Sequence, residues 1–131
     1  MARPLPEITE ENAAFWSGGA RGELLIVHCD ACDHAIHPPQ LLCPRCLSRQ
    51  VTPRSARGTG IIYSFTINYQ PWMPGLAVPY VLVVVDLDGE PGVRLTAELV
   101  DVDPSSVAIG QPVTVGFVAD RDCWIPQFRR T

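Results

Sequence analysis

The sequence predicts a mainly β chain with three parts: an N-terminal short helix, a rubredoxin-like zinc ribbon, and a C-terminal five-stranded OB-fold barrel. Three observations carry this. Two Cys-x-x-Cys pairs, Cys29/Cys32 and Cys43/Cys46, are separated by ten residues and offer four thiolates at the spacing of a tetrahedral metal site. From Gly60 onward the apolar residues recur with a period of two, the mark of half-buried strands. Five such short segments, punctuated by Gly, Pro and Asp turns, fall in roughly 75 residues, which suits a small Greek-key barrel better than the about seven strands of a sandwich. The expected parts are 1–23 for the helix and linker, 24–51 for the ribbon and 52–131 for the barrel.

The elements follow in order. Thr9 caps a helix whose first turn carries Glu10 and Glu11, acids that meet the positive end of the helix dipole. The helix runs through Phe15 and Trp16 and is expected to stop at Gly18-Gly19. At about ten residues it is marginal alone, so its aromatic end must bury against something. Leu24 to His28 is a short strand leading into the first cysteine pair, and Pro38-Pro39 stiffen the chain before the second. Arg57-Gly-Thr-Gly60 is a turn; a lone Gly-x-Gly there is weak evidence for a phosphate cradle.

In the next segment Ile61, Tyr63, Phe65, Ile67 and Tyr69 alternate with Ile62, Ser64, Thr66 and Asn68. A Pro- and Gly-rich loop from Pro71 to Pro79 follows. Tyr80 to Leu87 is nearly all apolar and β-branched, and is expected to be buried on both faces. Val93 to Leu99 is the next strand. Asp103-Pro104 predicts an N-cap with proline at the first helical position, hence one helical turn. Pro112 to Val118 alternates again. Trp124 to Phe128 is expected to be an edge strand because Pro126 interrupts it.

Four thiolates fill a tetrahedron and leave no position for water, so the predicted site is structural. Zinc is the expected ion; a four-cysteine iron site uses the same ligands. Disulfides are the competing reading, set aside because the chain reads as soluble and cytoplasmic, with no apolar leader at MARPLPEITEEN and no membrane-length apolar run. His28, His34 and His37 read as surface or supporting imidazoles. Cys123, beside Trp124, reads as a small buried apolar side chain.

The 131 residues carry 14 acids and 10 basic side chains, all arginine. With no lysine, Schiff-base chemistry, a P-loop lysine and a lysine general base are all excluded within the chain. The net charge of −4 conceals an uneven distribution. Residues 34–85 hold Arg45, Arg49, Arg54 and Arg57 and no acid, while both flanking segments are acidic. Guanidinium binds phosphate in a bidentate fork, so this cluster is a candidate contact for an anionic ligand or an acidic partner face.

Taken together, several motifs carry a resemblance along nearly the whole chain. They are the helix ending in Phe15-Trp16, Cys29-x-x-Cys32, His37-Pro38-Pro39, Cys43-Pro44-Arg45-Cys46, Gly58-Thr-Gly60, Ile62-Tyr63-Ser64-Phe65-Thr66, Pro79-Tyr80-Val81, Ile109-Gly110-Gln-Pro-Val113 and Pro126-Gln-Phe128. The chain resembles the zinc-ribbon plus OB-fold proteins known as domain of unknown function 35, an acyl-CoA-associated family. The resemblance implies metal ligands at Cys29, Cys32, Cys43 and Cys46. It also implies a helper subunit of a thiolase-fold protein that acts in acyl transfer or in retro-aldol cleavage of steroid side chains, with a CoA thioester near the interface. It supplies no catalytic residue.

The expected function is therefore a noncatalytic zinc-binding subunit of a CoA-thioester-processing complex. Arg45, Arg49, Arg54, Arg57, Phe15, Trp16 and Trp72 are its candidate CoA or partner contacts, since aromatics and arginine dominate interface anchors. The alternative is a nucleic-acid-binding module, with Tyr63, Phe65 and Tyr69 as stacking faces. Against it are the acidic net charge and the acids across the last third, where a nucleic-acid groove should be basic.

Overall fold

The structure is a computed structural model and describes residues 4–131. Thr9 and Asn12 cap each other: the Thr9 N–H donates to Asn12 Oδ1 at 2.7 Å, and the Asn12 N–H to Thr9 Oγ1 at 3.3 Å. This is the reciprocal arrangement of a capping box. The α-helix α1 (Ala13–Ser17) stops at Gly18 as expected, but the chain keeps its helical sense. It tightens into a 3₁₀ turn over Gly18–Arg21, and the left-handed residue that closes it is Gly22, at φ 72°.

The two earlier glycines serve packing instead. A Cβ on Gly18 would lie 2.5 Å from the Glu23 carbonyl oxygen, and one on Gly19 would lie 2.6 Å from both Phe117 and Trp124. The 3₁₀ turn thus lies backbone-first against the last hairpin. Gly19→Ala is expected to cost about 1–3 kcal/mol, the range for overpacking a close contact. Urea denaturation checks this; a stability equal to wild type would show that the turn can move away freely.

The ribbon is a three-stranded sheet of order β2-β1-β3, from β1 (Leu25–Cys29), β2 (Ala35–Ile36) and β3 (Val51–Ser55). All five residues of β3 pair with β1, from Cys29↔Val51 to Leu25↔Ser55. The chain therefore stays in the ribbon sheet through Ser55, across the expected division at 51/52. Leu24 and Ile26 belong to the same apolar core as the barrel, so the ribbon is packed onto the barrel rather than tethered to it.

The barrel closes in the order β4-β5-β6-β8-β7. Its strands are β4 (Thr59–Asn68), β5 (Tyr80–Leu87), β6 (Arg94–Leu99), β7 (Pro112–Asp120) and β8 (Cys123–Arg130). A 3₁₀ turn at Pro104–Ser106 precedes β7, capped by Asp103, whose carboxylate accepts the Ser105 N–H. Three expectations are corrected. First, β5 is not buried on both faces: Val81, Val83, Val85 and Leu87 are buried and the residues between them are half-buried. Its outer face belongs to the barrel exterior, where β-branched side chains are still well accommodated.

Second, β8 is not an edge strand. It pairs with β7 along its whole length and in parallel with β6 at Gln127 and Phe128. Pro126 is tolerated because the β6 ladder begins only after it. Third, the alternation in β4 does not run unbroken. The register shifts between Ile62 and Ser64, so Tyr63 is the extra residue of a bulge. Ile62 is fully buried, whereas Ile61 and Tyr63 are 39% and 47% exposed. Beyond the bulge Phe65 and Ile67 turn toward the core. The Arg94 guanidinium lies 3.7 Å from the Tyr63 ring centroid, a cation–π contact on the barrel's outer surface.

Candidate metal centre and its surroundings

The two cysteine pairs build matching turns. In each, the N–H four residues after the first cysteine donates back to that cysteine's carbonyl: Asp33 to Cys29 at 2.8 Å, and Leu47 to Cys43 at 2.9 Å. Those residues have φ of 64° and 65°. The first cysteine's own N–H donates to the carbonyl five residues on, Cys29 to His34 and Cys43 to Ser48, both at 2.9 Å. Two turns of one geometry thus face each other, as two halves of a tetrahedral site require.

The four sulfurs lie within 4.8 Å of one another, and none is in a disulfide. Cys29 Sγ is 3.5 Å from Cys46 Sγ, and Cys32 Sγ is 3.7 Å from Cys43 Sγ. A tetrahedron with metal–sulfur bonds of 2.3 Å has edges of about 3.8 Å, so the residues fit a tetrahedral ion. Cys29, Cys32, Cys43 and Cys46 would hold it, and its chemistry there is structural cross-linking.

The four crowded thiols differ in acidity, as close acids do. The Cys32 and Ala31 N–H groups draw Cys29 down. Against burial, which raises it, the Cys46 and Arg45 N–H groups bring Cys43 to about 7. Although the His34 N–H favours its thiolate, burial and the three neighbouring sulfurs push Cys32 up to about 12.

Beside the centre the ribbon meets the β5–β6 turn through one buried polar pair. His28 Nε2 is 2.7 Å from Glu90 Oε2, while His28 Nδ1 is 2.9 Å from the Ile26 carbonyl oxygen. His28 is 9% exposed and Glu90 7%. The pair floors a polar cleft of about 400 Å³ whose mouth includes Arg45, His34 and Gly92.

The four expected arginines are not one cluster. Arg54 is occupied: it donates to Asp33 at 2.7 Å and to Asp30 at 3.1 Å, and Thr52 holds Asp30 from the other side. Arg57 lies against the Gly89 backbone, and Arg45 reaches the cleft. Arg49 is exposed. The glycines of the Arg57-Gly-Thr-Gly60 turn are explained by packing. Gly58 has φ 79°, and a Cβ on Gly60 would lie 2.4 Å from the Asp86 carbonyl oxygen.

Of the expected aromatic contacts, Phe15 is core, 6% exposed, edge-on to Trp16 and tilted against His37. Packing inside its own chain removes it from any partner surface. Trp16 is half-buried. Trp72 is 70% exposed, its indole N–H donating to Asn68.

Burial holds the His37 imidazole below its ordinary 6.5. The unfolded chain therefore takes up a proton that the folded chain refuses, and stability should fall as pH drops below about 6.5. His37→Phe, which keeps a ring against Phe15, is expected to flatten this slope in urea midpoints between about pH 5 and 7. An unchanged slope would remove His37 as its source.

Sequence reasoning missed the His28–Glu90 pair. The only local sign was an acid in the β5–β6 turn, and nothing in a sequence pairs residues 62 positions apart. No helix among the described residues is long and apolar enough to cross a membrane.

Fold and centre together define a class: a four-cysteine ribbon packed on a closed five-stranded OB barrel. Residues 16–52 match the model described as ChsH2, rubredoxin-like zinc ribbon domain, and residues 54–118 match ChsH2, C-terminal OB-fold domain. The chain belongs to this ChsH2, or DUF35, family.

The chain is 36% identical over 128 residues, 97% of its length, to a probable enoyl-CoA hydratase alpha subunit of Thermomonospora curvata. It is 34% identical over 86% of its length to the 3-oxo-4,17-pregnadiene-20-carboxyl-CoA hydratase alpha subunit of Mycobacterium tuberculosis. It spans 40% and 35% of those two proteins. Among solved structures it superposes on a chain of the Ltp2-ChsH2(DUF35) aldolase with a TM-score of 0.87 at 33% identity, covering 96% of this chain and 98% of that one.

Proposed function

We propose that this chain is a noncatalytic zinc-binding subunit of a CoA-thioester-processing complex, docking onto a thiolase-fold partner and supporting its activity. The partner's reaction in this reading is retro-aldol cleavage of a steroid side chain, with acyl transfer as the related chemistry. The observation that carries it is the near end-to-end match, at 33% identity, to the chain from an aldolase assembly. The hydratase alpha subunits it matches are named for CoA substrates, one of them a steroid.

The chain's own chemistry is consistent with a helper role. The four-thiolate centre is closed to substrate once an ion fills it. Cys123 is buried, so it offers no accessible nucleophile. Zinc is the ion we assign, since a closed thiolate tetrahedron is its usual structural site. Among the expected contacts, Arg45, Arg49 and Trp72 are exposed to an anionic ligand or a partner; Arg54 is exposed but ion-paired to Asp30 and Asp33, and Phe15 is core.

The test is co-expression with a thiolase-fold protein from the same genome, followed by size exclusion and an assay of CoA-ester cleavage. Co-elution and activity dependent on this chain are expected. Two separately migrating proteins would defeat the reading.

A further inference from the structure

A groove of about 1000 Å³ lies on the side of the barrel that α1 covers. Leu82, Leu95 and Ala97 of β5 and β6 line one part of it, and Ile125 and Pro126 of β8 another. Trp16, the N-terminal Pro4-Leu5-Pro6 segment and His37-Pro38-Pro39 of the ribbon complete the wall, together with Gly75-Leu76-Ala77 from the long loop. The groove is thus rich in proline and aromatic side chains, surfaces that pack well against extended chain.

Among the described residues its lining carries more acids than bases. Glu11, Glu98 and Asp120 line it, and among the described residues Arg94 is the one arginine that does. Arg94 is already engaged, with its Nε 2.9 Å from Asp86 and its guanidinium over Tyr63. A thioester's phosphates would therefore meet like charge here. His37 Nδ1, a buried side-chain atom without a hydrogen-bond partner among the described residues, also belongs to a residue of this wall. It is a group that an occupant carrying peptide or side-chain N–H groups could satisfy after a small adjustment.

The geometry points to this groove as the seat of an extended segment of the protein partner, apolar along its length and carrying arginine or lysine. The inference rests on the partner reading above and gives that partner's contact a face and a charge. That face is distinct from the arginine-bearing ribbon, which is left to anionic ligand. Charge complementarity of this kind acts through association rate and falls with salt.

The test uses the full chain and the thiolase-fold protein of the co-expression experiment. Hydrogen exchange on the complex is expected to protect residues 75–80, 94–98 and 124–127. The double variant Glu11→Arg/Asp120→Arg is expected to weaken association about tenfold at low salt and less at high salt. Circular dichroism and the melting profile of the variant confirm that it folds. Protection confined to the ribbon tip around 41–49, or unaltered association of the folded double variant, would overturn the assignment and leave the subunit reading intact. Protection of the same groove by a free acyl-CoA without the partner would give it to a small molecule and overturn the assignment too. Absence of any complex would remove the subunit reading, and this inference with it.

Discussion

Stripping the ion from the loaded protein with a strong chelator is expected to unfold the ribbon and leave the barrel folded. The ribbon's own apolar cluster is Val27, Cys29, Ile36 and Cys43, with Cys32 and Val51 partly buried against it. Half of those six residues are ligands, and β3 is exposed along nearly its whole length. A segment this short cannot bury enough surface to hold itself; below about 40 residues a metal or disulfide is usually required. Structural zinc supplies about 10–16 kcal/mol in zinc-finger peptides near neutral pH, which exceeds anything six small side chains can offer.

The barrel's core around Ile62, Val83, Val85, Val113 and Phe128, all fully buried, contains none of the cysteine ligands. Exchange after chelation should therefore lose protection over 29–50 and keep it over β4 to β8. Cys43→Ser, at a fully buried ligand, should give the same pattern, with less than one ion per chain by elemental analysis. The ligands bind as thiolates, so protons compete with the ion and release should be promoted as pH falls. A ribbon that keeps full protection after chelation would show that packing alone sustains it.

Glu90→Ala is expected to cost about 1–3 kcal/mol, the range for leaving a buried hydrogen-bonding group without its partner. His28 would retain its bond to the Ile26 carbonyl but lose the acceptor at Nε2 in a place water barely reaches. Total stability of such a domain is about 5–15 kcal/mol, so the loss is a large fraction of it. The paired change His28→Leu/Glu90→Leu should recover most of that loss, because two apolar side chains incur no desolvation penalty. Urea denaturation of the two single variants and the double variant gives the coupling directly. A Glu90→Ala cost below about 1 kcal/mol, typical of exposed ion pairs, would mean the pair is solvated in solution.

Legibility followed the range of the interaction. The cysteine ligands lie in two local pairs whose turns are fixed by hydrogen bonds four and five residues long, so their spacing was sufficient. Asp103 was readable as a cap because it bonds within three residues; Thr9 bonds Asn12 three residues on, and Asn12 is the N-cap of α1, so the helix starts later than the sequence suggested. The strands were readable from alternation, since every second side chain must face the core. Where alternation was interrupted by the bulge at Tyr63, the local pattern gave the wrong face for Ile61, Ile62 and Tyr63 and the right one for Phe65 and Ile67 beyond it.

The arginines were harder to read. Arg54 stands among no acids in the sequence, yet Asp30 and Asp33 are brought to it by the β1–β3 ladder. Pro126 looked like the mark of an edge because proline removes a ladder donor. Barrel closure places it where no such donor is needed.

By itself, then, the sequence determined the metal ligands, the order and approximate limits of most strands, and the absence of lysine chemistry, all properties of residue type and local spacing. The tertiary structure alone decided which guanidiniums are spent, that Phe15 is core, that His28 meets Glu90, and that an acid-lined groove lies under α1. These depend on which distant segments the closed barrel and the docked ribbon bring within a few ångströms, and chain proximity of that kind is set by packing rather than by any neighbouring residue.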